Sequence, residues 1–146
     1  MNYRTLRVAL AGFIVTIGVW SCNNTTIDSK PTQDLESLMI RMAEIEIDSN
    51  YFEAYTSILK EESEASIRLE TGVICIYPMY TRDNPTQIRL LEIYASREAY
   101  ESHIQSEHFQ KYKTSTLHMV TSLKLIDMEP IDLATMPEIF SKLNRR

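Results

Sequence analysis

The chain has 146 residues, 44% of them hydrophobic, and 15 Lys+Arg against 20 Asp+Glu give a net charge of −5. That is enough chain for one domain with a real core. The acidic balance and the lack of a basic stripe or basic-aromatic motif argue against a nucleic-acid partner. Three glycines, no phosphate-cradling loop and no Ser-His-Asp pattern leave little room for nucleotide chemistry or a serine hydrolase.

Arg4 and Arg7 open the chain, and residues 8–20 are apolar except for Thr16 among the larger side chains. This run of about 13 residues falls short of the roughly 20 that span a bilayer, and it fits the apolar region of a secretory signal. The tetrad Val19-Trp20-Ser21-Cys22 resembles a bacterial lipobox. The expectation is a lipoprotein signal over 1–21, lipidation of Cys22, a polar tether over 22–36 and an exported, lipid-anchored protein of the cell envelope, in a leaflet left open. A plain secretory signal or an uncleaved anchor is the alternative. With Cys22 acylated, Cys75 is the one remaining thiol, so no internal disulfide is expected.

The domain is expected over 37–130. Residues 39–47 (MIRMAEIEI) alternate, with Arg41, Ala43, Ile45 and Ile47 on one face and Ile40, Met42, Glu44 and Glu46 on the other, which is the period of a strand. Asp48 and Ser49 cap a helix over 51–69, with Phe52, Tyr55, Ile58, Leu59, Ala65 and Leu69 as its apolar stripe and Lys60, Glu61, Glu62 and Glu64 in solvent. Residues 73–80 and 87–95 read as two strands around the turn Arg82-Asp83-Asn84-Pro85. Ser96 caps a second helix that breaks near Ser106 and runs on to about Leu117, residues 120–128 form a fourth strand, and the tail 131–146 forms a short helix after Pro137.

The order strand, helix, strand, strand, helix, strand is that of an α+β, ferredoxin-like β-α-β-β-α-β fold. Two helices cover one sheet face. The other carries Ile40 and Met42 with Ile88 and Leu90, or their alternates, and calls for a partner sheet and hence a homodimer.

Residues 91–109 (LEIYASREAYESHIQSEHF) are the most chemically suggestive stretch, with a strand ending in Glu92 and Tyr94 followed by a helix bearing His103 and His108. Histidine is the side chain whose ordinary pKa lies nearest neutrality, and so the natural proton handler. A five-residue spacing does not put two metal ligands on one helical face, so no metal site is expected.

ETGVICIYPM followed by LEIYASREAYESHIQSEHFQKY resembles the antibiotic biosynthesis monooxygenase family, in its quinol-monooxygenase-like branch. The matching positions are Glu92, Tyr94, Ala99, His103, Ser106, His108 and Phe109, with Thr71 inserted between Glu70 and Gly72 and Ile76 where an aromatic is common. The resemblance implies a dimeric α/β barrel, a pocket between sheet and helices, and oxidation of quinols or other phenolic or polyketide-like molecules by O2 with no metal, flavin or other cofactor. It implies His103 as base or hydrogen-bond partner to the substrate oxygen, Glu92 orienting a histidine, and Tyr94 lining the pocket or donating to an oxyanion. His108 is a second binding candidate, and Tyr77 and Met79 are expected as substrate-binding walls.

Plainer roles stand beside these. His103 and His108 satisfy backbone groups where the helix kinks, Glu92 is a structural ion partner, Tyr94 is a core aromatic, and Glu44 with Glu46 form an exposed edge. The same motif serves isomerases that process a phosphorylated signal, for which Arg41 or Arg89 would have to face inward, and a non-catalytic ligand-binding lipoprotein is the third class. Heme degradation on this fold is disfavoured, because that branch's Asn, Trp and His fall here on Ile45, Tyr94 and Lys113.

Overall fold

The computed structural model describes residues 35–144, so the signal, Cys22 and all but the end of the tether lie outside the described residues. After a short 3-10 turn at Leu35–Ser37 come β1 (Met39–Ile47), α1 (Phe52–Leu69), β2 (Val73–Tyr80), β3 (Gln87–Tyr94), α2 (Arg97–His103), α3 (Glu107–Thr116), β4 (Val120–Met128) and α4 (Thr135–Leu143). The four strands form one antiparallel sheet in the order β2-β3-β1-β4, which is the ferredoxin-like α+β arrangement.

Local sequence explains the joints. The Asp48 side chain accepts from the Asn50 amide and starts a 3-10 turn that leads into α1. Ser96 and Ser106 do the same for α2 and α3, accepting from the amides of Ala99 and Phe109. The Ser106 cap, in an extended conformation, is what divides the second helical stretch in two. At Gly72 an added Cβ would come within 2.6 Å of the Ala99 Cβ, so only glycine lets the start of β2 pack this closely on the first turn of α2.

Register decides the two faces. Arg41, Ala43 and Ile45 of β1 pair with Glu92, Leu90 and Ile88 of β3 and with Asp127, Leu125 and Leu123 of β4, and these rows lie on the helix side. Ile88 and Leu90, expected as possible members of the other face, therefore sit in the core with Ala43, Ile45, Tyr55, Leu59 and Tyr94. Ile40, Met42, Leu91 and Ile93 make up the outer face.

The helical stripe of α1 also departs from expectation. Its buried residues are Tyr55, Leu59, Glu62, Ser63 and Ser66, while Leu69 is exposed. Positions 55, 59, 62 and 66 follow the helical repeat and carry a carboxyl and a hydroxyl into the interior. The tail helix starts two residues before Pro137 rather than after it. Proline is tolerated there because first-turn amides have no intrahelical partner. Leu133 and Met136 line one groove with Ile40, Met42 and Ile93, so the tail lies on the outer face of the sheet. None of the helices among the described residues is long and apolar enough to cross a membrane.

Candidate active site

Between the sheet and the helices lies a cavity of about 340 Å³. Its floor is the helix-side face of β1, β3 and β4, its roof comes from α1, α2 and α3, and its walls are mostly aliphatic and aromatic. It opens toward β4, where the helices give little cover and Leu123, Leu125 and Leu117 are exposed. Its ionisable lining groups are Arg41, Glu62, Glu92, Tyr94, Tyr100, His103, Tyr112 and Lys113.

His103 closes α2 and is 2% exposed. Its Nδ1 lies 2.9 Å from Glu70 Oε1, and His108 Nε2 lies 2.6 Å from the same oxygen. An ionised carboxylate only accepts, so both histidines donate to it. This fixes His103, when neutral, as the Nδ1–H tautomer and leaves the lone pair on Nε2. That atom lies 3.8 Å from Glu62 Oε1, beyond hydrogen-bond reach. Phe109 packs edge-on against the imidazole at 4.8 Å between centroids, and Tyr94 lies at 5.4 Å on another side. The ring is thus held by one carboxylate and two aromatics. The helix break at Ser106 brings His108 round to Glu70, where Ser106 Oγ also lies 3.2 Å from its Nε2.

Glu62 accepts from Ser66 Oγ at 2.7 Å. Burial pushes its carboxyl above the usual range, against the lowering effects of Ser66 and the two histidines. Glu92 is pushed up from 4.5 to about 7, mainly by burial, with Glu62 adding to the rise and Arg41 and Tyr94 opposing it. Burial first, and then the neighbouring Glu92 and Glu62, keep the Tyr94 hydroxyl protonated. On the floor, Arg41 Nε and Nη2 donate to Asp127 Oδ1 at 2.8 and 2.6 Å, and the Arg41 guanidinium carbon sits 4.5 Å from the Tyr100 ring centroid.

Of the residues singled out in the sequence, His103, Glu92 and Tyr94 line the cavity, and His108 stands behind His103, joined to it through Glu70. Tyr77 and Met79 do not line it. They pair with Leu91 and Arg89, on the outer face, and are 60% and 40% exposed. The cause is a bulge between Val73 and Cys75, which shifts the alternation of β2 by one residue. Val73 faces the helices, and without the bulge Tyr77 and Met79 would as well. Histidine orientation falls to Glu70, not to Glu92. Arg41 faces inward, whereas Arg89 lies outside beside Glu44.

Sequence reasoning missed Glu62 and Glu70. The helical repeat from Tyr55 through Leu59 pointed to Glu62, and Glu70 stood in the stretch that resembles the family, but nothing local showed that it meets His103 across 33 residues. The spacing argument against a shared metal also assumed one continuous helix. With the helix broken, Glu62, His103 and His108 offer ligand atoms within 4.8 Å of one another. Each of these side chains has a hydrogen-bond partner in Glu70 or Ser66, while His103 Nε2 keeps its lone pair on the side of Glu62.

A cavity between a ferredoxin-like sheet and its helices, lined by a histidine held on a carboxylate, is a site shaped for a small molecule. The chain belongs to the antibiotic biosynthesis monooxygenase family, whose model matches residues 38–115. A crystal structure from Bacteroides thetaiotaomicron VPI-5482, designated a proposed antibiotic biosynthesis monooxygenase, is 45% identical, with a TM-score of 0.67 over 68% of this chain and 94% of that one. A proposed monooxygenase from Lactobacillus acidophilus NCFM is 26% identical, with a TM-score of 0.63 over 64% of this chain and 44% of that one. A proposed family member from Nitrosomonas europaea, 19% identical with a TM-score of 0.61 over 65% of this chain and 91% of that one, shares the fold. No curated protein matches the chain.

Proposed function

We propose that this protein oxidises a quinol or another electron-rich phenolic or polyketide-like molecule with O2, using no cofactor of its own, with His103 as the base. The observation that carries the reading is the Glu70–His103 pair, which fixes a histidine tautomer in the lining of a largely apolar cavity. The substrate gives a proton to His103 Nε2, and the resulting anion passes one electron to O2. The radical and superoxide combine, forming a carbon–oxygen bond to a peroxide. His103 returns the proton to the peroxide, and loss of the remaining hydrogen from the oxygenated carbon with cleavage of the O–O bond leaves a carbonyl oxygen in the product and releases the other oxygen as water. The enzyme supplies a base and a dry pocket. In this reading Tyr94, kept protonated, donates to the oxygen that gains charge.

The isomerase reading fits less well. A phosphorylated substrate brings about two negative charges, but the inward-facing Arg41 already serves Asp127, and the carboxyls of Glu62 and Glu92 line the cavity with Lys113 as the one other cation. The active form in this proposal is a homodimer that covers the outer face around Tyr77 and Met79, and a monomer in sedimentation equilibrium at working concentration would refute it. Lipidation of Cys22 and attachment to the cell envelope are likewise proposed, from the sequence pattern alone. Failure of the full-length chain to take up labelled fatty acid through Cys22 would rule them out.

The test of the reaction is oxygen uptake by the metal-free protein against a panel of quinols and anthrones, beside His103→Ala. Uptake that the substitution lowers tenfold or more, about 1.4 kcal/mol of barrier, supports the reading. Wild-type uptake no faster than the spontaneous background, with the fold intact, refutes it in favour of a non-catalytic binding protein.

A further inference from the structure

The helix break at Ser106 turns α3 so that His108 comes back beside His103, with the two ring centroids 6.3 Å apart. Glu62 of α1 faces the same point, its Oε1 3.8 Å from His103 Nε2. One ligand atom from each of Glu62, His103 and His108 lies within 4.8 Å of the other two. Two imidazoles and a carboxylate are a known donor set for a divalent transition cation. In a tetrahedral zinc site neighbouring ligand atoms stand about 3.4 Å apart, so small side-chain rotations close the gap.

Three features set this group apart from a chance meeting of polar side chains. The first is burial, since Glu62 is 5% exposed and His103 2%. The second is support from behind. His103 donates through Nδ1 to Glu70, which leaves the Nε2 lone pair on the side of Glu62, and Ser66 Oγ donates to Glu62 Oε1 at 2.7 Å. A carboxylate on the far nitrogen is how metal-binding histidines are normally oriented. The third is charge. Among the described residues the ion-pair partners of Glu62 and Glu70 are these two histidines, with no lysine or arginine. With both carboxylates ionised and both imidazoles neutral, a divalent cation brings the group to zero charge.

There is also a way in. Glu62 and the half-buried His108 line a groove between α1 and α3, and the lysine at its rim, Lys111, is paired with Glu61. Glu62 and His103 line the large cavity on the other side.

We propose that Glu62, His103 and His108 bind one divalent transition cation of the Zn2+ class, with Glu70 as the support behind the histidines and a fourth position left for water. His103 ligates through Nε2. His108 gives a ring nitrogen; where that is Nε2, its hydrogen bond to Glu70 is exchanged for the metal and its proton moves to Nδ1. Burial favours the protonated form of Glu62, and the cation displaces that proton, as it does from any acidic ligand. The cation takes the lone pair that the proposed oxidation uses, so metal and substrate proton exclude each other on His103. The site is therefore a cation-dependent block of the base and not a cofactor site.

Binding is read without O2 or substrate, so its failure and a failed oxidation are told apart. Equilibrium dialysis of the intact, chelator-stripped protein against Zn2+ at pH 8 should show one equivalent bound, with a Kd of about 10 μM or tighter. Glu62→Gln and His108→Ala should each weaken that affinity tenfold or more. His118→Ala and Cys75→Ser, which change the histidine and the thiol outside the cluster, should alter it less than threefold. Weaker or absent binding, an affinity that either cluster variant leaves in place, or one that falls with His118 or Cys75 would overturn the proposal. Should a cluster variant unfold, the wild-type Co2+ complex decides. The strong visible absorption of a four-coordinate ion supports the site, and the faint absorption of the hydrated ion overturns it.

Discussion

Glu70→Gln is expected to lower kcat for substrate oxidation about a hundredfold, ~2.7 kcal/mol of barrier, while KM stays within about threefold. In the proposed reaction His103 becomes a cation on taking the substrate's proton, and Glu70 Oε1, 2.9 Å from Nδ1, is the group that would compensate it. The glutamine is nearly isosteric and can still accept a hydrogen bond, but it carries no charge to oppose the imidazolium. Glu70 is a positioning residue and not a catalytic one, because it acts through His103 and does not line the cavity. That predicts a specific non-additivity. Glu70→Gln combined with His103→Ala should be no slower than His103→Ala alone, since the partner's contribution disappears with the base. Additive losses would show that Glu70 acts independently of His103. His108→Ala is the control. It removes the second donor to Glu70 but leaves the His103 contact, and should change kcat no more than about threefold.

The architecture was legible in the sequence because its signals are local. Alternation at 39–47 named the buried face of β1, Asp48 and Ser96 marked helix starts that the structure places within a few residues, and the break expected near Ser106 is where α3 begins. The Glu-x-Tyr strand end and His103 are brought together because β3 runs directly into α2 through a two-residue link. What escaped depends on non-local geometry. The bulge at Val73/Cys75 leaves no mark in composition, yet one extra residue sends Tyr77 and Met79 to the far side of the sheet. Glu62 was assigned to solvent by residue type, but its position two helical turns from Tyr55 carries it inward, where Ser66 and the histidines meet it. Glu70 lies just past the end of α1 and gains its role only when the broken helix folds back over it.

The second large effect concerns stability. Glu92 titrates near 7 in the folded protein instead of the usual 4.5, chiefly because burial penalises its charge. A raised carboxyl pKa means that the folded state holds the proton more tightly than the unfolded state does. Its contribution is therefore fully present below about pH 4.5, is lost as pH rises toward 7, and is level above that. A shift of this size corresponds to about 3 kcal/mol between the two limits. Glu92→Gln, neutral at every pH, does not lose that increment. Urea unfolding of wild type and variant at pH 5 and pH 8 isolates the effect, because every other titrating group, Glu62 included, is common to both. The variant should gain on the wild type by about 2–3 kcal/mol from the lower pH to the higher. A difference independent of pH would mean that Glu92 stays ionised across the range, held by Arg41 more strongly than burial opposes it. If the gain appears, the site carries a carboxyl that costs the fold stability at neutral pH, and a group kept at such a cost in the cavity floor points to a role with the ligand and not with the core.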